Sequence, residues 1–88
     1  MKLKDSFIFT ELGEGSILVP TGNDENSIHG IIRLNETAAF IVNCLKKETS
    51  SDQIVNDLLR EYEVTRTDAE KHVNALLEKL REVGAVEE

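Results

Sequence analysis

The chain has 88 residues, 40% of them hydrophobic and 31% charged, and carries a formal net charge of −7. That length fits one small domain with no room for a second core, so residues 1–88 are read as a single unit. The charge opposes nucleic acid and anionic membrane surfaces, because affinity for them depends on Lys and Arg displacing counterions.

Phe7 to Leu12 has the composition of a first strand, closed by the turn Gly13-Glu14-Gly15. Ser16 to Pro20 is a second strand, ended by a proline that has no N–H for a ladder. A polar loop, Thr21 to Ser27, leads to a third strand, Ile28 to Leu34. Side-chain alternation puts Ile28, Gly30, Ile32 and Leu34 on one face of it and His29, Ile31 and Arg33 on the other. These three segments are expected to form an antiparallel meander.

The third strand runs into a helix without a loop. The β-branched Ile31 and Ile32 favour extended backbone, Asn35 is a good N-cap, and Glu36 suits the first turn. The first helix, about Glu36 to Lys46, is apolar on nearly all sides and so belongs in the middle of the domain. Ser50, three residues before Gln53, matches a capping box ahead of a second helix with the stripe Ile54, Val55, Leu58, Leu59 and Tyr62. Thr65 caps a third helix, about Arg66 to Glu82, with the stripe Ala69, Val73, Leu76, Leu77 and Leu80. Gly84 is its stop; Ala85 and Val86 are expected to return to the core, and Glu87-Glu88 to fray. The fold class is α+β, winged helix-turn-helix-like: a three-stranded antiparallel sheet followed by three helices.

Leu34-Asn35-Glu36-Thr37, Phe40-Ile41, Leu45, Ile54-Val55, Leu58, Tyr62-Glu63-Val64, Val73, Leu77, Leu80 and Gly84 together resemble the PqqD family. These are RiPP precursor peptide recognition elements, winged-helix modules that hold the leader of a ribosomally made peptide. The resemblance covers residues 7 to 86. Family members often have Gly at Ala38, Trp at Val42 and an acid at His72; the last difference falls near the expected groove.

The resemblance implies that a leader peptide adds as an extra strand, antiparallel to Ile28, His29, Gly30, Ile31, Ile32, Arg33 and Leu34, beside the third helix. Ladder hydrogen bonds would supply sequence-tolerant affinity, and pockets for alternate side chains would supply selectivity. The helical period lines up His72, Leu76 and Lys79 on one flank, with Ala75 just beyond, as the groove wall. The opposite flank, Leu77 and Arg81, stays open as an alternative. The implied partners are a precursor leader peptide and a maturation enzyme, a radical SAM protein in the best-known members. No cofactor is implied for the module itself.

Each feature also has a plainer reading. The third strand is equally an edge that His29 and Arg33 protect from unwanted pairing. His29 and His72 stand on separate elements with no Cys or His pattern beside them, which is weak support for a metal and fits groove contacts better. Cys44, the only cysteine, excludes an internal disulfide, suits a reducing compartment, and in an apolar helix behaves as a small hydrophobe. No apolar run spans a bilayer and no signal-type core follows Met1 to Asp5, so a cytoplasmic location is expected.

The glycines lack the arrangement of a phosphate-binding loop. Along the third helix Arg66, Lys71, Lys79 and Arg81 balance Asp68, Glu70, Glu78 and Glu82, a poor composition for a major-groove reader. The expected function is a non-catalytic peptide-binding module that presents a leader to its enzyme. A winged-helix DNA-binding regulator and a structural subunit without a peptide ligand are the alternatives.

Overall fold

The structure is a computed structural model and describes residues 1–13, 15–21 and 31–87. Its elements in chain order are β1 (Lys2–Leu3), β2 (Phe7–Leu12), β3 (Gly15–Pro20), β4 (Ile32–Leu34), α1 (Glu36–Cys44), α2 (Ser51–Glu61), α3 (Arg66–Glu82) and β5 (Val86–Glu87). The meander is present as an antiparallel sheet of order β2-β3-β4. Its register pairs Phe9 with Leu18 and Leu18 with Ile32, which stacks these residues on one face.

That inner face is the floor of the core. Phe7, Leu18, Ile32 and Leu34 are buried together with Ile41, Val42 and Leu45 around α1, Ile54, Val55 and Leu58 from α2, and Ala69, Val73, Leu77 and Leu80 from α3. The central position expected for α1 is what the structure has. Its last turn is shorter than expected, ending at Cys44 instead of Lys46. The Leu45 N–H donates to both the Ile41 and Val42 carbonyls, and the Lys46 N–H to the Asn43 carbonyl, so the turn tightens toward 3₁₀ geometry.

The three N-caps read from the sequence all form. Asn35 Oδ1 accepts the Ala38 N–H at 2.8 Å, Ser50 Oγ that of Gln53 at 3.2 Å, and Thr65 Oγ1 that of Asp68 at 3.1 Å. The Gln53 side chain donates forward to Asp57 at 2.9 Å, so only the Ser50 half of the capping box forms. At the end of α3, Gly84 adopts φ +71°. The Ala85 N–H bonds the Leu80 carbonyl and the Gly84 N–H that of Arg81, the two bonds of a Schellman motif.

The two short terminal strands were not expected. Glu87 does not fray: β5 pairs antiparallel with β1, Lys2 opposite Glu87 and Leu3 opposite Val86. The Leu3 N–H also donates to the Leu45 carbonyl and the Lys4 N–H to that of Ala85. This small second sheet ties the end of α1 to the segment leaving α3, and it buries Leu3, Ala85 and Val86.

Candidate functional site

β4 is at the edge of its sheet. It pairs with β3 through Ser16–Leu34, Ile17–Arg33 and Leu18–Ile32. Among the described residues no strand lies on its other side. In an antiparallel strand alternate residues direct their N–H and C=O away from the existing partner, so this side offers main-chain donors and acceptors to a further strand. The expected third strand ran from Ile28; the described strand is Ile32–Leu34, with Ile31 preceding it outside the ladder. Ile28, His29 and Gly30 lie outside the described residues.

The side chains of β4 divide as alternation requires. Ile32 and Leu34 are buried in the core, so this strand can meet a guest there only through its backbone. Ile31 and Arg33 are exposed on the opposite face of the sheet. Asn35 follows directly and caps α1, which fixes the first turn of that helix relative to the strand.

Beside this turn is a cleft of about 220 Å³ between α1 and α3. Four of its lining residues are the helix positions expected from the sequence, His72, Ala75, Leu76 and Lys79, and they come together in one wall. The other wall is Asn35, Thr37, Ala38 and Ile41. The alternative flank of α3 offers less, since Leu77 is 1% exposed and belongs to the core. The α1 wall was not anticipated. Its signal was available: a helix that starts at the end of an edge strand must place its first turn beside that edge.

The cleft's chemistry is simple. Ala38, Ile41, Ala75 and Leu76 are its apolar lining, and Asn35, Thr37, His72 and Lys79 are its polar and basic lining. A volume below the ~300–1,000 Å³ of typical small-molecule pockets suits single side chains better than a cofactor. Among the described residues no three His, Cys, Asp or Glu side chains gather as metal ligands. Cys44 is partly buried, and that burial, with Asp57 nearby, holds its thiol above the ordinary pKa, away from the thiolate a nucleophile needs.

On the far side of α1 a second cleft, about 520 Å³, lies between Phe9, Glu11 and Ser16 of the sheet and Glu36, Phe40 and Tyr62. Phe40 and Tyr62 meet edge to face at 5.6 Å. Desolvation raises the Tyr62 hydroxyl above the usual phenol pKa, with Glu36 and Glu61 adding to it. None of the expected helix positions reaches this cleft.

A sheet edge beside a helix-lined groove defines a class of small α+β modules able to take an extended polypeptide as an added strand. The chain belongs to the PqqD family: the model described as coenzyme PQQ synthesis protein D matches residues 15–86. It is similar to a solved structure described as lasso peptide synthetase B1 complexed with the leader peptide, at 33% identity and TM-score 0.73, covering 96% of this chain and 93% of that one. A second, TbiB1 in complex with the TbiA(beta) leader peptide, shares the fold at 20% identity and TM-score 0.80, covering 99% of this chain and 95% of that one. No curated protein matches the chain.

Proposed function

We propose that this chain is a non-catalytic module that captures the leader of a ribosomally made precursor peptide by strand addition to β4 and presents it to a maturation enzyme. The observation that carries the reading is the edge of β4, with no further strand beside it among the described residues, next to the cleft lined by His72, Ala75, Leu76 and Lys79. Main-chain bonds along the edge hold the guest, and one or two of its apolar side chains enter the cleft. His72 and Lys79 at the margin favour an acidic neighbour in the guest. The contribution to maturation is effective concentration, since a tethered leader makes the meeting of core peptide and enzyme nearly intramolecular.

The two similar structures, both described as leader-peptide complexes, support this reading. The synthetase named in one of them makes a lasso-type maturation enzyme the partner we favour over a radical SAM protein. We place the module, residues 1–88, in the cytoplasm, where ribosomal precursors are made; among the described residues no helix is long and apolar enough to cross a membrane. A net charge of −7 and a charge-balanced α3 leave DNA binding without support.

The test is titration of candidate leader peptides into isotope-labelled protein while backbone amide resonances are followed. Shifts concentrated in residues 31–41 and 72–79 are expected. Shifts confined to the cleft of Phe40 and Tyr62, or none with any leader encoded nearby, refute the proposal.

A further inference from the structure

Two clefts flank the start of α1, and they carry opposite charge. The cleft against α3 has His72 and Lys79 in its lining and no carboxylate. The larger one, about 520 Å³ on the far side of α1, has Glu11 and Glu36 in its lining and no Lys, Arg or His. Among the described residues neither glutamate is paired with a cation. Residues 14, 22–30 and 88 include no Lys or Arg that could supply one.

The apolar part of this larger cleft is aromatic: Phe9, Phe40 and Tyr62. The edge-to-face contact of Phe40 with Tyr62 holds two of the rings in place. An ammonium already rests on the third, since Lys46 Nζ lies 5.0 Å from the centroid of Phe9. Burial first, and then the charges of Glu36 and Glu61, raise the Tyr62 hydroxyl pKa, so the field of the carboxylates reaches that ring. Ring faces beside unpaired carboxylates match a side chain with an apolar stem and a cationic head. A neutral side chain would leave both carboxylates unused, and an acidic one would be repelled.

Position names the occupant. Asn35 lines both clefts, so they meet at the N-terminus of α1. A guest antiparallel to β4 has its N-terminal end at Leu34, directly before Asn35. To reach the far cleft it must pass one helix end, about 10 Å across. At ~3.3 Å per extended residue the passage takes about three or four residues. A base tethered in this way arrives at high effective concentration, which no separate protein has.

We infer that the cleft of Phe9, Phe40 and Tyr62 is a second subsite for the guest peptide, taking a Lys or Arg about three or four residues N-terminal to the segment paired with β4. This rests on the strand-addition reading above. The ammonium or guanidinium lies against the ring faces with Glu11 and Glu36 beside it. Together the two clefts read the guest's direction: a base before the strand, and an acid facing His72 and Lys79 along α3. A guest laid parallel to β4 would bring its base to the wrong end of the strand.

The isotope-labelled chain is first titrated with Nα-acetylarginine amide, which probes the cleft without any added strand. Saturable amide shifts in the low millimolar range, roughly, are expected at Phe9, Phe40 and Tyr62, and none with Nα-acetylglutamine amide. Shifts that never saturate, or that spread evenly over the acidic surface, overturn the subsite. The second measurement is fluorescence anisotropy with the leader of the precursor peptide encoded alongside this chain, fluorescein-labelled at its C-terminal end. Replacing the base that precedes its strand segment by Gln should weaken binding about tenfold, and Glu11→Gln with Glu36→Gln about fivefold. Asp52→Asn with Glu70→Gln removes the same charge elsewhere and should stay within about twofold of wild type; circular dichroism melting checks that every variant folds. An equal loss in that control makes the attraction general and overturns the subsite. A leader that binds through β4 with no base in that stretch, or with full affinity after either replacement, overturns the guest as occupant even where the arginine amide binds. Wild-type chain that binds no leader sinks strand addition first, a result distinct from leader binding that ignores the base.

Discussion

The two faces of the sheet are built from the same kinds of residue and meet different fates. Phe7, Leu18, Ile32 and Leu34 point inward and are buried, whereas Ile8, Leu12 and Ile31, on the opposite face, are more than half exposed. Runs apolar on both faces ordinarily belong to strands covered on both sides. Here all three helices contribute to the core on one side. The outer face is therefore more apolar than the isolated fold requires. Inner residues carry the core, and the exposed outer residues contribute less to it.

The largest effect that tests this contrast is on stability. Leu18 is fully buried at the centre of the sheet, between Phe9 and Ile32. Leu18→Ala removes contacts that nothing else can restore and should cost about 2–5 kcal/mol in urea unfolding. Ile17→Ala, its outward neighbour, should cost about 1 kcal/mol or less, because its side chain is only half-buried. Equal costs would break the contrast and make the outer face structural.

The next effect sharpens the contrast at the free edge. Ala75 is exposed and lines the α1–α3 cleft. Ala75→Trp fills that cleft without entering the core, so leader affinity should fall about tenfold, or ~1.4 kcal/mol, at nearly unchanged melting temperature. Normal leader affinity in the folded variant, read by fluorescence anisotropy, would move the guest elsewhere. Asn35→Ala comes third: loss of its bond to the Ala38 N–H should destabilise by about 1 kcal/mol in the same urea unfolding.

Much of this architecture was legible in the residues, and the exceptions have physical reasons. Strand β2, the caps Asn35, Ser50 and Thr65, and the stop at Gly84 depend on near neighbours, so a local pattern carries them. The β1–β5 pair depends on segments more than eighty residues apart and on two-residue strands, too short for any periodicity. The α3 wall of the cleft followed from helical spacing, which put His72, Leu76 and Lys79 in one row. Thr37, Ala38 and Ile41 did not, because they reach the cleft through the angle at which α1 leaves β4. The exposure of Ile8 and Leu12 was also hidden: alternation separates two faces, but only the helices decide which is covered.

The smallest expected effect is the most discriminating for that last point. Ile8→Thr keeps a β-branched side chain, so the strand's conformational preference is nearly unchanged. It trades an exposed ethyl group for a hydroxyl that water can satisfy. If the outer face is free in the isolated chain, stability should change by no more than ~0.5 kcal/mol. If some part of the chain folds over Ile8, the hydroxyl is buried without a partner and the cost rises to about 1–3 kcal/mol. The two ranges do not overlap, so one unfolding curve decides whether this face is open in the isolated chain or already part of the core.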